Sequence, residues 1–154
     1  MKIGVVYYPE HWDRSLWEKD ADLMKETGVQ LVRLAEFAWS RLEPRDGEFD
    51  FSWLDDAVAM FAQRGMEVVL CTPTSCPPRW LYEKHPDIVH VEKDGTPTNL
   101  GIRGHRCVTN PTFLRYADRI TIQMAQHYAD NPAVTGWQID NELEAYFCFC
   151  EHCN

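Results

Sequence analysis

The residues with the clearest chemical potential lie close together in the last part of the sequence. An apolar segment runs into the polar pair Asn141-Glu142, and Cys148, Cys150 and Cys153 follow a few residues later. A carboxylic acid at the end of a buried strand can be kept protonated near neutral pH by desolvation or by a second carboxylate. Such an acid can donate a proton to a leaving oxygen, so the pair predicts acid–base chemistry.

The three cysteines predict a metal site. They supply three thiolates within a short segment, and a closed tetrahedral zinc site needs a fourth ligand. His152 lies inside the segment, but ligation by both His152 and its neighbour Cys153 is geometrically awkward. The alternatives are reduced cysteines without a metal, and a Glu142 that acts as a salt-bridge partner or a helix cap. Cys71 and Cys76 do not fit the cluster and are predicted to be a buried strand residue and a loop thiol.

Composition indicates one globular domain. The chain has 154 residues, 45% of them hydrophobic, and a formal net charge of -9 that argues against nucleic acid and anionic membranes as partners. Its six tryptophans are expected to fill the core or to stack on sugar rings. No signal segment and no apolar run of membrane-spanning length is visible, which predicts a cytoplasmic protein with reduced cysteines.

Hydrophobic periodicity places these residues on alternating strands and helices. The first strand is a continuous apolar run, which is typical of a strand buried on both faces. Ser52 is predicted to cap the second long helix with Asp55 in a capping-box position, and Asn110 is predicted to cap the third, with Pro111 at its first position. The predicted strands are residues 3–8, 30–35, 67–72 and 134–139, and the predicted long helices are residues 15–27, 52–65 and 111–129.

Four such β-α units predict half of an eight-stranded (β/α)8 TIM barrel, because a complete barrel has eight units and takes about 250 residues. Residues 74–110 are predicted to be a loop insertion before the third long helix, with a short helix and a hairpin around Lys93-Asp94-Gly95. A doubly wound open sheet is the alternative, but Tyr8-Pro9-Glu10 stands where its glycine-rich turn would be. Residues 1–154 are therefore predicted to be a partial barrel domain whose first and fourth strands are unpaired edges, which invites aggregation or dimerisation.

Several motifs resemble one enzyme family. The segment from Gly136 to Glu142 is similar to the Asn-Glu signature at the end of strand four in the large clan of retaining glycoside hydrolases. Further motifs, in matching order and spacing along the chain, resemble the β-galactosidases of glycoside hydrolase family 42. They are Tyr8-Pro9-Glu10-His11-Trp12, residues 33–40, Thr72-Pro73-Thr74 and Pro77-Pro78-Arg79-Trp80-Leu81.

The resemblance implies a retaining hydrolase of terminal β-D-galactosyl residues. It makes Glu142 the acid/base, Asn141 a ligand of the sugar, with the 2-hydroxyl as the expected partner, and Arg103 a substrate-binding residue with a loop salt bridge as its alternative. Glu10 and Glu36, which also end strands, are left as rim or structural acids. The nucleophilic glutamate is expected beyond residue 154, so the chain alone is expected to be inactive.

The same resemblance completes the metal site. It implies a structural zinc ion held by Cys107 from before the long helix together with Cys148, Cys150 and Cys153. It also implies a homotrimer for the full-length enzyme. The other activities left open are an α-L-arabinopyranosidase or another retaining glycosidase on the same scaffold, and a non-catalytic, zinc-stabilised sugar-binding module.

Overall fold

The computed structural model describes residues 1–101, 104–142 and 147–153. Four parallel strands form one sheet in the order β1-β2-β3-β4, with a helical connection between each strand and the next. The strands are β1 Gly4–Val6, β2 Leu31–Leu34, β3 Glu67–Cys71 and β4 Val134–Gln138. The helices are α1 Arg14–Glu26, α2 Trp39–Leu42, α3 Ser52–Gln63, α4 Arg79–Lys84 and α5 Pro111–Tyr128, with 3-10 turns at Pro9–His11 and Pro86–Ile88.

Sequential order of parallel strands is the arrangement of successive units in a (β/α)8 barrel, and it confirms the predicted half barrel. In the doubly wound alternative the strand order reverses at a switch point. The sheet contains no such reversal among the described residues. Parallel pairing also brings the carboxyl ends of all four strands to one edge, which is where the candidate catalytic residues lie.

The core lies between the two central strands and the helices that cover them. Val32, Leu34, Val68 and Leu70 have no exposed surface, and Phe61 of α3 is equally buried. These four strand positions alternate along β2 and β3, because every second side chain points to the face that the helices cover.

The prediction that the first strand is buried on both faces was wrong. Strand β1 covers only three residues, and Val6 is 40% exposed while the preceding Ile3 is 54% exposed. The reason is that β1 has β2 on one side and no described strand on the other. At the opposite edge, Trp137 and Ile139 are likewise 37% and 66% exposed. The exposed apolar side chains of β1 and β4 therefore form surfaces of the kind that neighbouring strands and helices cover in a closed barrel.

The insertion before α5 contains the predicted hairpin. The Glu92 amide donates to Thr96 O at 2.9 Å and the Thr98 amide donates to His90 O at 2.9 Å, around the turn at Gly95. A second connection joins the hairpin to the segment before α5, since the Cys107 amide donates to Ile88 O at 2.7 Å. Together with the bond from the His90 amide to His105 O at 2.9 Å, this connection holds residues 105–107 against the hairpin.

One predicted helix cap is confirmed and one is corrected. The Asn110 side chain accepts from the Thr112 and Phe113 amides at 2.8 and 3.1 Å, as a cap does. Helix α3 is preceded by a different arrangement, because the Asp50 carboxylate accepts from both the amide and the hydroxyl of Ser52 at 3.0 and 2.5 Å. Ser52 is thus the first helical residue rather than the cap, because an aspartate two residues earlier reaches its amide.

Removing the Asn110 side chain is expected to destabilise the fold. In Asn110→Ala the helix loses its cap and the Asp87 carbonyl loses a donor at 3.1 Å, so the free energy of unfolding should fall by about 2 kcal/mol. Asn110→Ser is the matched variant, since serine caps helices well but is too short to reach Asp87. Urea titration should place Asn110→Ser between the wild type and Asn110→Ala. Equal stability of the alanine variant and the wild type would contradict the assignment.

No helix in the described part of the chain is long and apolar enough to cross a membrane.

Candidate active site and cysteine cluster

A buried polar network joins three strands at the carboxyl edge of the sheet. The Glu36 carboxylate, which is 2% exposed, forms an ion pair with Arg33 at 2.8 Å. It also accepts from the Tyr8 hydroxyl at 2.5 Å and from the Gln138 amide at 3.3 Å, while Arg33 donates to Gln138. Burial, together with the bond to Glu36, raises the pKa of Tyr8 to about 12, so this hydroxyl stays a donor at neutral pH. Glu36 is a satisfied internal acid that ties β1, β2 and β4 together.

Glu10, in the 3-10 turn that follows β1, has a different environment. Both of its carboxylate oxygens are buried, and neither has a hydrogen-bond partner among the residues that the structure describes. Desolvation raises the pKa of Glu10 above its ordinary value, against the opposing effects of its own backbone amide and of His11 and Arg41. The protonated form is therefore favoured at Glu10 more than at an exposed glutamate.

The end of β4 turns sharply, and Asp140 fixes the turn. The Asp140 amide donates to the Thr72 hydroxyl at 2.7 Å, and the Asp140 carboxylate accepts from the Asn141 amide at 2.8 Å. The same carboxylate accepts from the Ser75 hydroxyl and forms an ion pair with Arg106 at 2.7 Å. Contacts with two other segments, residues 72–75 and Arg106, and with the next amide in the chain thus hold one residue beside the candidate catalytic pair.

Two residues of this turn have left-handed backbone conformations. The φ angles of Asp140 and Glu142 are 55° and 46°, in a region that costs a residue with a side chain about 1 kcal/mol or more. Such conformations persist where the surroundings over-determine them, as the contacts of Asp140 do. The turn places the Glu142 side chain at the exposed carboxyl edge of the sheet. Arg103, the predicted substrate-binding residue, lies outside the described residues.

The four predicted cysteine ligands come together in space. The sulfur atoms of Cys107, Cys148, Cys150 and Cys153 all lie within 4.8 Å of one another. Tetrahedral coordination with metal–sulfur distances of about 2.3 Å requires sulfur–sulfur distances of about 3.8 Å, so the donor set fits a four-coordinate metal ion. His152, the competing ligand, is not part of this group.

Hydrogen bonds favour a thiolate at one member of the cluster, Cys107. The Thr109 hydroxyl lies 3.3 Å from the Cys107 sulfur and 3.0 Å from the Cys153 sulfur. Burial opposes ionisation of Cys107, but the bonds to Thr109, Cys153 and Cys150 outweigh it and lower the pKa of Cys107 to about 7. The Val91 amide donates to the Cys148 sulfur at 3.4 Å, which connects the hairpin to the cluster. Cys71 and Cys76 lie elsewhere, the first buried at the end of β3 and the second half-buried in the loop after it.

Comparison with known proteins decides the family. The family model described as β-galactosidase of glycoside hydrolase family 42 matches residues 6–154. The chain belongs to this family.

Curated and solved members resemble the chain along nearly its whole length. A β-galactosidase from Clostridium cellulovorans is 58% identical over 99% of the chain, and one from Haloferax lucentense is 49% identical over 99%. The structure of the β-galactosidase from Halorubrum lacusprofundi superposes with a TM-score of 0.94 at 43% identity, covering 99% of the chain. The chain spans 23%, 24% and 23% of these three proteins, respectively, or about a quarter of their length.

Sequence reasoning assigns no role to several residues of this family 42 site. Asp140, Thr72 and Ser75 lie within or beside quoted motifs, and Arg106 precedes a predicted ligand, yet none is singled out. The available signal is positional, since polar residues directly after barrel strands gather at the carboxyl edge. That signal does not say which polar residues bond to one another, because the contacts join positions about 35 to 70 residues apart in sequence.

Proposed function

We propose that this chain forms part of the catalytic barrel of a retaining β-galactosidase that removes terminal non-reducing β-D-galactosyl residues. The proposal depends on one observation: a family 42 match over residues 6–154 that includes Asn141-Glu142 at the carboxyl end of β4. The names of the relatives describe activities of proteins about four times as long, so the substrate is assigned here by family membership and by the chemistry of the strand end.

In this proposal Glu142 is the acid/base. Glu142 first gives its proton to the glycosidic oxygen as the bond to the sugar breaks, and it later takes a proton from the water that releases galactose. Asn141 hydrogen-bonds the sugar, with its 2-hydroxyl as the expected partner, and Arg103 contacts the substrate. The second carboxylate of a retaining enzyme must lie about 5 to 5.5 Å from the first, and we assign it to a glutamate beyond residue 154.

We further propose that the cysteine cluster holds a structural zinc ion. Cys107, Cys148, Cys150 and Cys153 would complete its coordination, and four thiolate ligands leave no position for a reacting water. The bound ion supplies no acid or nucleophile. It joins the segment before α5 to the segment after Glu142, so its effect is on the position of the strand end.

The experiment that tests the activity is a chimera. Residues 1–154 replace the matched quarter of the Clostridium cellulovorans β-galactosidase, and hydrolysis of nitrophenyl β-D-galactoside is compared with that of nitrophenyl α-L-arabinopyranoside. We expect the chimera to prefer the galactoside. A preference for the arabinopyranoside would show that the proposed substrate is wrong. A folded chimera without activity on either substrate would support a sugar-binding module instead.

The isolated 154-residue chain is expected to be inactive. One carboxylate of the required pair cannot complete double displacement, so no turnover of nitrophenyl β-D-galactoside should be detectable under conditions in which the chimera is active. Hydrolysis by the purified chain that disappears in Glu142→Gln would show that the second carboxylate lies within residues 1–154.

A further inference from the structure

A buried ion pair connects the cysteine cluster to the candidate catalytic pair. Arg106 is 4% exposed, and its guanidinium lies 2.7 Å from the Asp140 carboxylate. Arg106 immediately precedes Cys107, whose sulfur is a member of the cluster, and Asp140 immediately precedes Asn141-Glu142. The path from Cys107 to Glu142 therefore has four links. The ion pair joins Arg106 to Asp140, and the other three links are between residues adjacent in sequence.

Each partner of the ion pair compensates the charge of the other. Within the described part of the chain the Arg106 Nε atom has no hydrogen-bond partner, and its guanidinium lies 5.7 Å from the Phe113 ring centre. Loss of Asp140 would leave a buried cation with little compensation, and breaking such pairs costs about 3–5 kcal/mol. Loss of Arg106 would leave the Asp140 carboxylate with neutral donors.

We propose that Arg106 and Asp140 are positioning residues that transmit metal occupancy of the cluster to the Asn141-Glu142 turn. With metal bound, Cys107 is fixed, the Arg106 guanidinium is held against Asp140, and Asp140 keeps the left-handed turn closed. Without metal, the segment at Cys107 relaxes and the turn opens. The catalytic consequence depends on the proposed activity, and the structural coupling depends on the proposed metal site.

A second path between the same features must be separated from this one. The chain itself runs from Glu142 to Cys148, so metal could order the turn through the backbone alone. Substitution of Arg106 distinguishes the two paths, because it removes the ionic contact and leaves all four cysteines in place. Asp140→Asn is the second variant, since it removes the charge without changing the shape of the side chain.

Hydrogen exchange of the Asp140 and Asn141 amides measures the coupling directly. We expect chelation to accelerate their exchange about 10-fold or more in the wild type and in Arg45→Gln, a control that breaks an exposed ion pair with Glu48. In Arg106→Gln and in Asp140→Asn these amides should exchange fast with zinc bound, and chelation should change them less than about twofold.

Two outcomes would overturn the coupling. In the first, Arg106→Gln and Asp140→Asn retain wild-type protection at residues 140–141. In the second, chelation accelerates exchange in the variants as much as in the wild type, which would assign the coupling to the backbone. Zinc content and far-ultraviolet circular dichroism identify folded, loaded variants, and should Arg106→Gln fail to fold, Asp140→Asn alone decides between the outcomes.

The catalytic consequence has its own readout in the chimera. A mispositioned acid hinders substrates with poor leaving groups more than substrates with good ones, because good leaving groups need little protonation. We expect Arg106→Gln to lower kcat/KM, which reports the first step, about 100-fold for phenyl β-galactoside but less than about 10-fold for dinitrophenyl β-galactoside. Equal losses on both substrates would contradict positioning of the acid. An inactive parent chimera would refute the proposed function and leave the exchange result standing.

Discussion

Glu142→Gln in the chimera is expected to lower kcat for phenyl β-galactoside by about 1,000-fold. General acid–base catalysis typically contributes about 100- to 10,000-fold, and glutamine keeps the shape of the side chain but has no proton to give. The loss should be much smaller for dinitrophenyl β-galactoside in the first step, because its leaving group departs without protonation. Steady-state kinetics gives kcat for phenyl β-galactoside and kcat/KM for both substrates, and kcat/KM reports the first step.

A matched control and a rescue experiment sharpen this result. Glu83→Gln removes an exposed carboxylate on α4, where Glu83 forms an ion pair with Arg79, and it should leave kcat unchanged. In Glu142→Ala, azide has room to attack the galactosyl-enzyme without base assistance, so added azide should restore turnover and yield β-galactosyl azide. Retention of full activity on phenyl β-galactoside by Glu142→Gln would refute the assignment of the acid/base.

Removal of the metal is expected to have the largest effect on stability. Metal analysis of protein purified without chelator should find one zinc ion per chain. A ligand that binds the folded state alone and is present at about 1,000 times its dissociation constant stabilises that state by about 4 kcal/mol. For a chain of this size, that difference corresponds to a Tm lower by about 10 °C after chelation, measured by thermal unfolding with and without zinc.

Substitutions of cysteine test whether the effect comes from the cluster. Cys107→Ser removes a fully buried ligand and should abolish both the bound zinc and the difference in Tm caused by chelation. Cys76→Ser, which changes a half-buried thiol outside the cluster, should preserve both. Absence of zinc from chelator-free protein would reject the site, and an undiminished zinc content in Cys107→Ser would show that this cysteine is not a ligand.

The strand ends show where sequence patterns and contacts diverge. The apolar run from Val134 ends in Asn141-Glu142, and that order alone places a carboxylic acid at the carboxyl edge of a parallel sheet. The same pattern does not reveal that Asp140 holds the turn, because its partners Thr72, Ser75 and Arg106 come from other segments. Hydrophobic periodicity reports burial, whereas hydrogen bonds between distant segments depend on how those segments pack.

The predictions for the first strand and for the Ser52 cap of the second long helix were wrong for a similar reason. Apolar character at Ile3 and Val6 indicates a surface that can be buried, but actual burial depends on which neighbours are present. Ser52 is a good capping residue by type, yet the helix already begins at Ser52, and the Asp50 carboxylate accepts from the Ser52 amide and hydroxyl. Residue type limits the possibilities in each case, and local geometry selects among them.

The sequence by itself determined the alternation of strands and helices and a group of three closely spaced cysteines, which follow from periodicity and spacing among neighbouring residues. The resemblance of its motifs to family 42 implied the family and the fourth cysteine, Cys107. Only the tertiary structure decided that the cysteines converge within 4.8 Å and that the Arg106–Asp140 ion pair joins them to the candidate catalytic turn. The physical reason is that convergence of Cys107 with Cys150, and of Arg106 with Asp140, requires α5 and β4 to fold back so that segments more than 30 residues apart become neighbours.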